Sequence, residues 1–492
     1  MTSMQERSRS VSTSTRLTGR LGVTSIVFMV VAAAAPLTIF VTTPVNMLNG
    51  NGPGIAVSYV LGPLILLLFG VGFAAMSVHV KKSGAFYAYI TAAIGRPVGV
   101  GAGFLAMLGY FIVQAGVYIL LGFAMHSLLA SFTGAEILPW WGWTIAAMLA
   151  VGFLGYFHVE LGAKVLSVAL VLEVLTILVL DTTILAKGGG PEGVQLAPFL
   201  SGGAVLWGSL PLGILFGVSV GMGFEATALF RDEARDPNRT IPRAIYTVII
   251  AALVFYGFAV WAWMQAYGAN GVMDAVAGDP DNITYMTAAR FVGPAFEQVM
   301  NALAVTSMFA AVLAYHNMVT RYLHSMGHSI LPRRLSWVHA KHGSPFISSF
   351  LALGIAAVLF ALILASGIDP LAVFGWCIAV GTLSPLILFM FTSVAIIIFF
   401  RRNPALPVGV WKSVIAPALA FALFGSLAVV ALLNFSTLSA ANAGLSLILQ
   451  LLPVVVFGGG VVVALIVKRL APQRYAALNE QDAIEVRGED PV

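Results

Sequence analysis

Residues 217–224 read Gly217-Val218-Ser219-Val220-Gly221-Met222-Gly223-Phe224, and residues 31–36 read Val31-Ala32-Ala33-Ala34-Ala35-Pro36, each in the middle of an apolar run. A glycine costs a helix interior about 1 kcal/mol relative to alanine. Pro36 lacks an N–H, clashes with the carbonyl four residues earlier and biases Ala35 away from helical angles. Both stretches are therefore expected to interrupt helices, with Pro36 opening a second half-helix. A plainer reading stands beside this one. Gly217 and Gly221, like Gly99 and Gly103, form GxxxG pairs that let membrane helices pack closely, and proline in a membrane helix is often a simple kink.

The runs around these stretches make the bilayer the solvent of the chain. With 59% apolar and 9% charged residues and a mean hydropathy of +0.96, the 492-residue chain has too little polar material to cover a soluble body. Twelve spans are expected, at 22–48, 54–78, 97–130, 139–157, 162–186, 206–230, 242–267, 295–325, 346–366, 371–400, 413–434 and 443–468. At ~1.5 Å per residue, runs of about 20 residues cross a hydrocarbon layer of about 30 Å as helices. The fold class expected is an all-α integral membrane protein. The first span is too long for a secretory signal core and more spans follow it.

Charge fixes the expected orientation. Of the 25 Lys and Arg residues, all but Lys187 and Arg290 fall on the tails or on alternate connections, including Arg7, Arg9, Arg16, Arg20, Lys81, Lys82, Arg96, Lys164, Lys341, Arg474 and Arg487. Both termini are thus expected in the cytoplasm. The net charge of +5 follows from this bias and implies no nucleic-acid partner; a basic face suits anionic lipid headgroups. Cys377 is the only cysteine, which excludes an intramolecular disulfide. No HExxH or P-loop motif is present, so an enzyme is a poor reading, and no span carries a filter-like repeat that would favour a channel.

Laid on spans six to ten, spans one to five run in the opposite sense, and the two interrupted stretches fall at equivalent places. Such paired interruptions are the sequence pointer to the binding site of a secondary transporter built from inverted repeats. The organisation expected is a tail (1–21), a first repeat (22–186), a second repeat (206–400), two accessory helices (413–468) and a C-terminal tail (469–492). A zwitterion entering the membrane needs partners for both charges. The amides of Ala33, Ala34 and Ala35, at the start of the second half-helix, are expected to hold a carboxylate. Carbonyls near Val31-Ala32 and Phe216-Gly217-Val218 are expected to hold an ammonium group. Ser219 and Gly221 lie in the second stretch, and Tyr110 and Gln114 on the third span either line the pocket or pack.

Three further segments carry a resemblance. They are Gly223-Phe224-Glu225-Ala226 with the run Asp232 to Ile245; Ser83-Gly84-Ala85-Phe86-Tyr87-Ala88-Tyr89; and His316-Asn317 with Arg321-Tyr322, Leu331-Pro332 and Ser344-Pro345. Over about residues 18–470 the chain resembles the amino acid-polyamine-organocation permeases. The resemblance implies a five-plus-five inverted repeat with two extra C-terminal helices and transport of amino acids or related amines. It departs from the family pattern at the first break, which has alanines in place of glycines, and at Ser219, where relatives often place an aromatic gate; either that role moves to Phe216 or Phe224, or the pocket is roomier.

Glu173, mid-span in the fifth helix, resembles in position the lysine of proton-coupled relatives and is expected to couple transport to H+, or to be a protonated structural group. Thr306 and Ser307 resemble the hydroxyl pair that holds Na+ in sodium-coupled members, although such hydroxyls commonly bond the carbonyl one turn back. Glu225 is expected either in inner gating or in a structural pair with the arginine-rich loop, whose ion pairs Arg231, Asp232, Glu233, Arg235, Asp236, Arg239 and Arg243 would form at the surface. His316 and His324 are read as packing residues, with no metal site expected. The function expected is proton-coupled symport of neutral amino acids. Exchange and sodium symport are the alternatives, oligomeric state is open, and no cofactor besides the coupling ion is called for.

Overall fold

The structure is a computed structural model that describes residues 21–156, 159–339, 343–473 and 475–476, with backbone alone for 159–166. Arg7, Arg9, Arg16, Arg20, Lys341, Arg474, Arg487 and the Lys164 side chain lie outside the described residues.

Among the described residues the regular elements are helices. α1 (Val23–Ala34) and α2 (Pro36–Asn49) form the first span, followed by α3 (Ile55–His79), the short α4 (Ala85–Ala93), α5 (Arg96–Thr133), α6 (Trp140–Tyr156) and α7 (Val159–Ala186). Two one-turn helices, α8 (Ala197–Leu200) and α9 (Gly202–Val205), lead to α10 (Leu210–Ser219) and a 3-10 segment, Phe224–Glu233. Then come α11 (Pro237–Met264), α12 (Gly268–Gly278), α13 (Ile283–Phe291), α14 (Pro294–Gly327), α15 (Phe346–Ser366), α16 (Pro370–Arg402), α17 (Ala416–Leu433), the five-residue α18 (Phe435–Ser439) and α19 (Ala443–Leu470).

Eleven of the expected spans are long and apolar enough to cross a membrane, taking the broken ones as units. The twelfth, Trp140–Tyr156, is an apolar helix of 17 residues, about 26 Å by helical rise and so at the short end for a span.

Both expected interruptions are present. At the first, Ala35 takes a left-handed conformation (φ 47°, ψ 71°) and Pro36 opens α2. Proline at the first position loses nothing there, because its missing N–H would have had no helical partner. At the second, α10 ends at Ser219, a turn covers 220–223, and Gly223 (φ 100°) precedes the 3-10 segment. Only glycine reaches that φ without strain. Gly217 answers to the packing reading: an added Cβ would strike the Ser58 carbonyl, and Gly62 of α3 meets the Gly217 backbone in return.

One arrangement occurs twice. α4 and α13 are nine-residue helices, and each is followed by a glycine of nearly the same backbone geometry, Gly95 (φ 135°, ψ 164°) and Gly293 (φ 138°, ψ 163°). The two longest helices follow, α5 with 38 residues and α14 with 34.

The core divides at the breaks. One cluster holds α1 with Phe69, Phe73, Phe224 and Phe389; the other holds α2 with Tyr59, Tyr256, Trp263 and Ile177. Phe216 packs against both.

Candidate functional site

The first break is closed by a side chain from another helix. Glu173 of α7 is 1% exposed. Its Oε2 accepts the Leu37 amide at 3.2 Å and the Ser307 hydroxyl of α14 at 2.6 Å. The arrangement follows from the break: Pro36 has no N–H, so Leu37 presents the first amide of the new helix, where backbone donors lack partners and the dipole end favours negative charge.

This changes the expected register. Ala33 and Ala34 lie in the last turn of α1, where their N–H groups serve the helix itself, and the Ala35 amide bonds the Ala32 carbonyl at 3.1 Å. The left-handed residue turns the free donors onto Leu37 and beyond, so the three alanine amides are not the anion-facing ones. Val31 and Ala34 stay half-buried beside the break.

The second break carries a similar clamp. Glu225 Oε1 accepts the Tyr110 hydroxyl at 2.6 Å and Oε2 accepts the Gly223 amide at 3.0 Å. Tyr315 and Tyr322 of α14 surround Tyr110, with ring centroids at 6.3 and 5.8 Å. Glu225 is therefore not paired with the arginine-rich loop, and Tyr110 is committed to Glu225. The carbonyls expected to face an ammonium group are partly used: Phe216's accepts the Ser219 hydroxyl at 2.6 Å and Val218's accepts the Gly221 amide at 3.2 Å. Gln114 Nε2 donates to the Val312 carbonyl at 3.3 Å while its Oε1 has no partner.

Three other expectations are corrected. Thr306 is exposed and bonds the carbonyl of Leu303, one turn back, at 2.9 Å. Only Ser307 faces inward, because neighbours on a helix point about 100° apart; the hydroxyl pair for Na+ is not assembled. Phe224 is fully buried and stacks on Phe389 at 5.9 Å, which makes it core, whereas Phe216 is half-buried at the meeting of the two clusters. The charged loop is not wholly a surface network. Arg321 Nε and Nη2 donate to Glu233 Oε1 and Oε2 at 2.7 and 3.1 Å, with both side chains about 5% exposed or less. Arg231 donates to the carbonyls of Ser77 and Lys81 and to Asn238. Asp236 and Arg239 do form an exposed pair.

The Glu233 region also holds the start of the first span, since the Leu21 amide donates to the Glu233 carbonyl at 2.8 Å and the Arg235 amide to the Leu21 carbonyl at 3.0 Å. His316 Nε2 meets Ser349 Oγ at 2.8 Å. Among the described residues no group of three His, Cys, Asp or Glu side chains is placed to hold a metal.

The membrane body thus holds two interrupted helices, each capped by a buried carboxylate. The family model described as amino acid permease matches residues 21–459. The chain belongs to the amino acid permease family. It is a multi-pass transporter of the amino acid-polyamine-organocation superfamily, not an enzyme. Among its relatives are the branched-chain amino acid permease BcaP of Bacillus subtilis, 23% identical over 82% of this chain and 86% of the relative, and BcaP of Lactococcus lactis, 26% identical over 76% and 81%. The low-affinity putrescine importer PlaP of Escherichia coli is 24% identical over 70% of this chain and 75% of its own length.

Sequence reading picked out Glu173, Ser307, Glu225 and Tyr110 but not their pairings, and it missed Leu37 and the Glu233–Arg321 pair. The signal for Leu37 was present: the first amide after a helix-opening proline is an orphan donor.

Proposed function

We propose that this permease is a proton-coupled symporter of neutral amino acids in the cytoplasmic membrane, alternating access around its two breaks. The observation that carries the reading is Glu173, buried between the Leu37 amide of the first break and Ser307 of the eighth span. A carboxylate so placed trades its charge against the fixed donors of the break. Ionised, it caps the half-helix; protonated, it releases a donor site that a substrate carboxylate can take, which couples one proton to one zwitterion.

The neutral class is supported by the state of the carboxylates at the breaks: Glu173 and Glu225 are both engaged by hydrogen bonds, leaving neither free for the second amine of a polyamine. The names of the two BcaP relatives point to aliphatic side chains, and L-leucine is the first substrate to try. The basic bias of alternate connections supports cytoplasmic termini. The doubled arrangement of α4–Gly95–α5 and α13–Gly293–α14 supports residues 22–186 and 206–400 as repeats, with 413–468 accessory and 1–21 and 469–492 as tails.

The test is L-leucine uptake into proteoliposomes without sodium. Symport predicts net accumulation driven by an inward proton gradient; an exchanger shows counterflow only, because its empty form does not reorient. Uptake indifferent to the gradient overturns the reading.

A further inference from the structure

A second buried carboxylate lies on the same helix and takes no part in the clamps described above. Asp181 of α7 is 0% exposed, and neither carboxylate oxygen has a hydrogen-bond partner. An ionised carboxylate left dry and unpaired costs many kcal/mol, so something must neutralise it. Its position says what. Residues 173, 177 and 181 are spaced four apart and share one face of α7, placing Asp181 about 12 Å from Glu173 toward the Lys187 end of the helix. On the orientation proposed above, that is the outer end.

Helices packed on α7 carry more polar atoms without partners. The Tyr256 hydroxyl of α11, the Thr38 Oγ1 of α2 and the Thr284 Oγ1 of α13 are all buried and unbonded. α2, α11 and α13 all pack on α7. Tyr256 shares a core cluster with Ile177, which lies between Glu173 and Asp181 on α7.

The other ionisable groups on elements packed against α7 do not neutralise Asp181. α1 and α2 have none, and α6 has only Tyr156. On α11, Arg239 pairs with Asp236, while Arg243 and Tyr246 lie on the first turns, at the far end from Tyr256. On α13, Arg290 lies over the Phe291 ring, and Tyr285 makes no ion pair among the described residues. On α14, Arg321 is held by Glu233 and His316 meets Ser349, Glu297 is acidic itself, and Tyr315, Tyr322 and His324 lie toward the opposite end of that helix.

We propose that Asp181 is a proton-binding site on the outer approach to Glu173. The Asp181 carboxylate takes a proton from outer water. The neutral acid then hands it inward along the hydroxyl of Tyr256: its O–H bond breaks as the Glu173 carboxylate gains an O–H, and Asp181 returns to the charged form ready for the next proton. The inference rests on Glu173 being the coupling group.

The experiment compares wild type, Asp181→Asn and Asp181→Glu, full length and reconstituted without sodium, with L-leucine as probe. Asp181→Asn is expected to lose gradient-driven uptake by at least about tenfold, as removal of a positioned proton-transfer group does, while keeping leucine counterflow at equal pH; Asp181→Glu is expected to restore most of the driven uptake. Driven uptake unchanged in Asp181→Asn overturns the relay and leaves coupling at Glu173 standing. Loss of counterflow together with driven uptake also overturns it, since that marks a structural group. Wild-type uptake that ignores the gradient overturns the coupling reading, and the relay with it.

Discussion

The two breaks use the same chemistry with carboxylates of different origin. Each presents a backbone amide to a carboxylate that also accepts a hydroxyl at 2.6 Å, Ser307 at the first and Tyr110 at the second. At the second break the carboxylate is local: Glu225 is two residues from the Gly223 amide it caps. The segment it begins is then bolted at its far end by the buried Glu233–Arg321 pair and by the backbone of Leu21. At the first break the carboxylate comes from a helix 136 positions away in the chain, and α2 carries no charged residue of its own. A clamp reaching across from a separate helix can let go without unfolding anything. On the proposed reading, the first break is the one that answers to a proton and the second is the one that holds the inner end shut.

The contrast orders the expected effects of substitution. Arg321→Ala leaves Glu233 buried without its partner and is expected to cost the equivalent of about 3–5 kcal/mol, read as a large fall in Tm of the purified protein. Replacing both members with apolar residues of similar volume should recover most of that stability, because an absent pair strands no charge. If the double replacement is as unstable as Arg321→Ala, the pair is not the bolt described here.

The two hydroxyls come next, and they separate the breaks. Tyr110→Phe is expected to lower stability by about 1–3 kcal/mol by stripping a donor from a buried carboxylate, with driven uptake and counterflow falling in step. Ser307→Ala is expected to cost stability at the low end of the same range, about 1 kcal/mol, while its driven uptake falls more than its counterflow. Equal patterns in the two variants would erase the distinction between a movable and a fixed clamp.

The smallest effect is expected at Ala35. Its left-handed conformation costs about 1–2 kcal/mol for an L-residue, which Ala35→Gly relieves, and the greater freedom of glycine in the unfolded chain takes back roughly 0.4–1 kcal/mol. A Tm at or slightly above that of the wild type checks this; a large fall would mean that the alanine methyl packs against something essential.

The places where the helices break were legible because they depend on local chemistry. Pro36 and the glycines of 217–223 act on the residues around them, and the cost of a charge in the membrane singles out Glu173 in any reading of its span. What was not legible depends on direction and distance. Whether Thr306 or Ser307 faces Glu173 is a matter of helix rotation about 100° per residue, set by packing. The amides of Ala33 to Ala35 were misassigned because one left-handed residue reorients the peptide planes that follow it. Glu233 and Arg321 are 88 positions apart, and nothing in their spacing marks them as partners. Asp181 escaped notice because a carboxylate near the end of a span reads as an interfacial group until its burial is known.

Whether the clamp at the first break is the proton site is tested most directly by proton movement itself. With a pH dye outside proteoliposomes at uniform starting pH, adding L-leucine should draw protons inward with the wild type. With Glu173→Gln that signal should vanish while leucine counterflow persists. A Glu173→Gln protein that still moves protons with leucine would contradict the account.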